Sequence, residues 1–131
     1  PFTPGYEMSG TVDAVGEGVT EFTVGQRVVA GLPNGGQASH VVVNSHRALA
    51  LPDDVGLDVA AAIPVTYLTA HHMLHHLGHM KSDDSVLIHG GAGGVGTAAL
   101  QICQWAGVSK VWATASGHKS STIEASGGVA F

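Results

Sequence analysis

Cationic side chains are scarce in this chain: five lysines and arginines stand against ten acids in 131 residues, for a formal charge of −5. With no basic cluster, the electrostatic footprint of a nucleic-acid binder is missing, so a small anionic ligand has to be held locally. Cysteine is scarcer still. Cys103 alone excludes an internal disulfide and a thiolate zinc cage, and agrees with a reducing, cytoplasmic compartment. No basic segment leads into an apolar core at the N-terminus, so no signal peptide is read there. Residues 59–80 carry no formal charge and are long enough to cross a bilayer, but Pro64 and five histidines make them a soluble buried helix, not a membrane span. What is abundant is apolar: 44% of residues are hydrophobic and 11% charged, the composition of a chain that buries most of itself.

The pattern changes near residue 52. Before it run short β-branched segments with a glycine every few residues, which predicts strands over 9–15, 26–30 and 38–43 and a short one over 48–51. Residues 16–18 make a turn, 32–36 a loop, and Pro52 with two aspartates stops the pattern. After it, Asp58 is the expected N-cap of an alanine-rich turn over 59–63, and Pro64 precedes a helix over 65–77 that Gly78 ends. A strand over 85–89, a helix over 94–105, a strand over 110–115, a helix over 119–125 and the start of a third strand at 129–131 complete the chain. Strand, helix and strand form a βαβ unit with a right-handed crossover. So few parallel strands and helices cannot cover both faces of a sheet, which predicts an internal fragment of a longer protein.

The chain is organised around residues 86–97, VLIHGGAGGVGT. Gly91, Gly93 and Gly96 keep the GxGxxG spacing between a buried strand and a helix, the context that makes this spacing a dinucleotide fingerprint. Gly91 is expected to allow the tight turn, Gly93 to let a pyrophosphate approach the backbone, and Gly96 to let helix and strand pack closely. The amides of Gly94 and Val95 at the helix N-terminus then favour an anion. The alternative is a glycine-rich connector that binds nothing.

Three ordered blocks are similar to the medium-chain dehydrogenases and reductases. PGYEMSGTVDAVGEGVTEFTVGQRV at 4–28 resembles the family's PGxExxGxVxxVGxxVxxFxxGDRV, with Gln26 in place of the acid; AAAIPVTYLTAHHML lies at 60–74; VLIHGGAGGVGTAALQIC at 86–103 is followed by TASGHK at 114–119. The resemblance is to the zinc-free quinone oxidoreductase branch, and the wording is closest to its vesicle amine transport protein-like and zeta-crystallin-like members. It implies an α/β chain: the later part of a GroES-like β domain over 1–55, then a linking helix and the first part of an NADP-binding Rossmann domain, a doubly wound parallel sheet, over 56–131. It also implies a homodimer that reduces a quinone or an enone by hydride transfer. A rival reading on the same scaffold is a non-enzymatic NADPH-binding structural or interaction protein.

Departures from the zinc enzymes of the family lie at Tyr6, where they have a histidine, and at Val65, where they have a cysteine. No catalytic zinc is therefore expected, and Glu7 reads as a retained structural acid. NAD enzymes place an acid after the second Rossmann strand to bind the ribose hydroxyls. Here the chain reads Ala115-Ser116-Gly117-His118-Lys119, and the next acid is Glu124. A 2′-phosphate can take a hydroxyl from Ser116 and a cation from Lys119, which favours NADPH; the resemblance assigns both residues that role and places Thr69 at the nicotinamide end. The alternative for Ser116 and Lys119 is a turn serine and a solvated lysine. His72, His75, His76 and His79 fall near one helical stripe that could hold a metal, but without cysteine or carboxylate partners a polar helix face is the preferred reading. His89 is expected to be a hydrogen-bonded core histidine.

Overall fold

The computed structural model describes residues 1–131 as two compact units, Pro1–Val65 and Thr66–Phe131. The first holds an antiparallel sheet of β1 (Glu7–Thr11), β2 (Arg27–Gly31) and β3 (Ala48–Ala50), with β2 in the middle. Glu7 pairs with Gly31 and Thr11 with Arg27, and the Val12 and Gly25 amides extend the ladder by one residue. Gly25, at φ 87°, then turns the partner away, so the first strand stops short of the expected residue 15.

Residues 38–43 are not a strand. Val42 is fully exposed between half-buried Val41 and Val43, which keeps the alternation of a strand, yet no neighbouring backbone pairs with it. β-branched residues favour an extended chain, but a strand exists only where a ladder partner supplies its hydrogen bonds.

The short helix α1 (Leu57–Ala60) starts at Gly56, and Asp58 lies inside its first turn instead of capping it. Ser9 donates its hydroxyl proton to the Leu57 carbonyl, and Ala60 is wholly buried. These contacts place α1 with the antiparallel sheet, although its sequence reads as the start of the second half. Arg27 ties the turn after β3, donating to the carbonyls of Pro52, Asp53 and Val55.

The second unit is parallel, with β5 (Lys110–Ala113) between β4 (Ser85–Ile88) and β6 (Val129–Ala130). Helix α3 (Gly94–Trp105) connects β4 to β5, and α4 (Ser120–Ala125), entered through a 3₁₀ turn at Gly117–Lys119, leads to β6. Leu100, Cys103, Val108, Val111, Ala113 and Ile123 form the core, with Val86 and Ile88 packed against it and Leu87 facing outward at 53% exposure. Burial raises the pKa of the Cys103 thiol, whose Sγ lies 3.6 Å from Met80 Sδ.

Helix α2 (Pro64–His71) starts on Pro64, where a missing N–H costs nothing, so the proline begins the helix instead of interrupting it. Ala70 meets Ala98 and Ala99 of α3, small residues that let two helices approach. The predicted α-helix to residue 77 loosens into a π-helix over His72–Leu77. It ends through amides of Gly78 and Met80 bonded to the carbonyls of Met73 and Leu74, and His79 at φ 48°, not the expected Gly78, takes the left-handed position. No helix is long and apolar enough to cross a membrane.

Candidate dinucleotide-binding site

Past the end of β4 the chain keeps its tie to β5: Thr114 N–H donates to the Ile88 carbonyl and Gly91 N–H to the Thr114 carbonyl, both at 2.9 Å. Gly90 takes the turn, at φ 70°, a conformation that a side chain disfavours. The tight turn therefore falls on Gly90 and not on Gly91. Gly91 is glycine for another reason. A Cβ there would stand 2.5 Å from Ala113 Cβ and 3.4 Å from Ile123 Cγ1, so the loop lies against β5 and α4.

The Gly90 carbonyl is the centre of the loop. It accepts from Gly93 N–H at 2.9 Å, and it would be struck first by a Cβ on Gly96, which would also stand 2.7 Å from Gly91 Cα. Helix α3 thus begins in direct contact with the turn that precedes it.

Gly93 is the N-cap of α3 in an extended conformation, without a capping side chain, and the first turn of α3 carries no acid. The first helical bond is Thr97 N–H to the Gly93 carbonyl, 2.8 Å, so the amides of Gly94, Val95 and Gly96 have no helical partner. Gly93, Gly94 and Val95 are exposed and Gly96 is buried. Free amides, the positive end of the helix dipole and no competing carboxylate are the features that favour an anion at a helix start, here in a chain that is acidic overall.

Ser116 and Lys119 bracket the 3₁₀ turn that follows β5, with Lys119 N–H bonded to the Ser116 carbonyl at 2.8 Å, and both side chains are exposed. No acid lies between Ala113 and Ile123; Glu124 is on α4. Thr69 is exposed on α2, where with Leu68, His71, His72, Met73 and His76 it lines an open hollow of about 490 Å³. The α2 residue beside the start of α3 is Thr66, whose Cγ2 would lie 3.2 Å from a Cβ on Gly94. Tyr67, one residue on, donates its hydroxyl proton to Gln101 Oε1 of α3.

Sequence reasoning also passed over Thr114. Its Oγ1 lies 3.2 Å from Gly90 N and 3.3 Å from His89 Nδ1. His89 is thus hydrogen-bonded as expected, but on the exposed end of the strand and not in the core.

Glu7 Oε2 accepts from Val65 N–H at 2.8 Å, so the acid caps the start of α2. Among the histidines, the π-helix changes which rings meet. His71 faces His75 at 4.6 Å and His76 at 6.0 Å, and His72 stacks on His76 at 5.2 Å, while His79 lies beyond the helix. The expected stripe of four is therefore not assembled, because an extra residue in the turn rotates the side chains that come after it. No three His, Cys, Asp or Glu side chains are grouped to hold a metal ion.

Residues 1–53 match the alcohol dehydrogenase GroES-like domain family. The zebrafish synaptic vesicle membrane protein VAT-1 homologue is 42% identical over 127 residues, covering 97% of this chain and 26% of that protein. The quinone oxidoreductase of Pongo abelii is 38% identical over 124 residues, covering 94% of this chain and 37% of that one. A mycobacterial protein solved in complex with NADPH superposes with a TM-score of 0.91 at 38% identity, over 99% of this chain and 41% of the other. The chain thus spans about a quarter to two fifths of the length of these relatives. With a GroES-like antiparallel unit followed by a parallel βαβ unit that opens on a glycine-rich loop, the chain is similar along nearly all of its length to members of the medium-chain dehydrogenase/reductase superfamily.

Proposed function

We propose that the full-length protein is an NADPH-dependent reductase that works without zinc on quinones or α,β-unsaturated carbonyls. The observation that carries this is the start of α3, where the amides of Gly94 and Val95 are exposed and unpartnered, with a loop after β5 that offers Ser116 and Lys119 and no acid. The residues present fit the cofactor. The only atom near a Cβ built on Gly93 is the Gly90 carbonyl oxygen, at 3.3 Å, so the outer side of the loop is open to a pyrophosphate. When bound, NADPH would supply the hydride. The chain's own residues orient it: Gly91 and Gly96 set the loop against β5 and α3, Gly93, Gly94 and Val95 bind the pyrophosphate, and Ser116 and Lys119 bind the 2′-phosphate. Thr69 serves the nicotinamide end. The likeness to a quinone oxidoreductase and to an NADPH complex supports this reading.

The likeness to VAT-1 favours a second reading, binding of NADPH in an interaction role without turnover. Titration of the full-length protein with NADPH and NADH, followed by NADPH consumption with a panel of quinones and enones, separates the two. Tighter binding of NADPH and turnover of at least one acceptor are expected; equal affinity for both cofactors sinks the 2′-phosphate assignment. NADPH binding with no turnover across the panel favours the second reading.

A further inference from the structure

The turn that opens the glycine loop is held by the Thr114 side chain, while the Thr97 hydroxyl donates to the Gly91 carbonyl at 3.4 Å further along. Thr114, half-buried just past β5, makes four contacts with the segment that leaves β4: its N–H and carbonyl continue the ladder to Ile88 and Gly91, and its hydroxyl reaches Gly90 N at 3.2 Å and His89 Nδ1 at 3.3 Å. The two ladder bonds survive any substitution that keeps the backbone. The hydroxyl contacts do not.

Gly90 is the residue that matters in this group. Its φ of 70° is a conformation that glycine adopts but is not confined to, so something must hold it there. Its N–H points to Thr114 Oγ1, and its carbonyl, one residue's reach away, accepts from Gly93 N–H and lies against Gly96. Rotation of the 89–90 backbone would therefore carry the Gly93 amide and the first turn of α3 with it. Those are the groups to which the proposed cofactor site assigns the pyrophosphate.

We propose that Thr114 is a positioning residue for the dinucleotide: its hydroxyl oxygen accepts from Gly90 N–H and its proton goes to His89 Nδ1, which fixes the turn that aims the α3 amides. In this arrangement the hydroxyl is used both as donor and acceptor, and His89 carries its own proton on Nε2. Valine has nearly the same shape and cannot make either bond. The Gly90 amide is then free to turn toward water, and the loop samples orientations that do not bind.

The proposal rests on the reading of the glycine loop as a nicotinamide dinucleotide site, and the test keeps the two apart. NADPH and NADH binding to the full-length protein are measured by titration for wild type, Thr114→Val and Thr114→Ser, with kcat taken at saturating cofactor. Thr114→Val should raise the Kd of whichever dinucleotide the wild type binds by roughly five- to tenfold, the effect of one lost hydrogen bond, and leave kcat at saturation within about twofold. Thr114→Ser, which keeps the hydroxyl, should bind within about twofold of wild type, and it decides the matter even where the valine variant folds poorly. The ¹⁵N shift of His89 Nδ1 should report an accepted hydrogen bond in wild type and Thr114→Ser and its loss in Thr114→Val. Wild-type affinity in Thr114→Val, or a serine variant as weak as the valine one, overturns the brace while leaving the cofactor site intact. A wild-type protein that binds neither dinucleotide overturns the site and the brace together.

Discussion

Replacing Gly96 with alanine asks whether the loop and α3 are as tightly opposed as their geometry indicates. The three atoms nearest the new Cβ would all be backbone, with Gly91 Cα at 2.7 Å, the Gly90 carbonyl carbon at 2.9 Å and the Gly90 oxygen closer still. To bring the nearest of these atoms, the Gly90 oxygen, to ordinary contact at about 3.4 Å, the start of α3 must move from the loop by about 1 Å. No flexible side chain is there to yield, so the cost belongs in the upper part of the roughly 1–3 kcal/mol that overpacking exacts. Alanine in place of a helical glycine returns about 0.5–1 kcal/mol, leaving a net local loss of about 2 kcal/mol. Gly94→Ala is the contrast. Its Cβ meets only the end of the Thr66 side chain, at 3.2 Å, and a small side-chain shift relieves it. Hydrogen exchange of the α3 amides, measured by peptide in the full-length protein, should accelerate about thirtyfold in Gly96→Ala and less than threefold in Gly94→Ala. Equal exchange in the two variants, or wild-type exchange in Gly96→Ala, would refute the argument that backbone contact at Gly96 sets the position of the helix.

Lys119→Ala should weaken NADPH binding about tenfold and leave NADH binding unchanged, because only the 2′-phosphate loses a charge-assisted partner; an equal effect on both cofactors would place Lys119 elsewhere. Burial raises the Cys103 pKa above its ordinary value of 9.0, so the folded state retains a proton that the unfolded state loses. The stability this proton gives is intact below pH 9 and falls as pH rises above it, and Cys103→Ser should flatten that decline in urea titrations at increasing pH. Arg27→Lys keeps the charge but gives up the fork that reaches the Pro52, Asp53 and Val55 carbonyls, and should cost about 1 kcal/mol and speed proteolysis within 52–56. Unchanged cleavage there would mean that the turn holds itself.

Much of the fold is legible without coordinates because it depends on short-range chemistry. The hydrophobic run into glycines at 86–97 and the helix pattern after it are local, and strand, loop and helix form where they are read. The same holds for the missing acid after β5. The first unit was harder to read. Residues 38–43 have the composition of a strand and no partner, and α1 has the sequence of the second half but packs on the sheet of the first. A ladder and a packing face belong to two segments, and one-dimensional pattern describes only one of them.

The candidate site divides in the same way. Which residues carry groups suited to the proposed phosphate contacts, the glycines with bare amides and the Ser116–Lys119 pair, is legible in the sequence, because those capacities belong to individual residues. Which glycine turns, which one packs and what holds the loop from below were decided only by the tertiary structure. Gly90 and not Gly91 takes the positive φ, the histidines regroup around a π-turn, and Thr114 reaches the loop from 24 residues away. Each of these depends on a contact between segments distant in the chain, and spacing along a single strand or helix does not encode it.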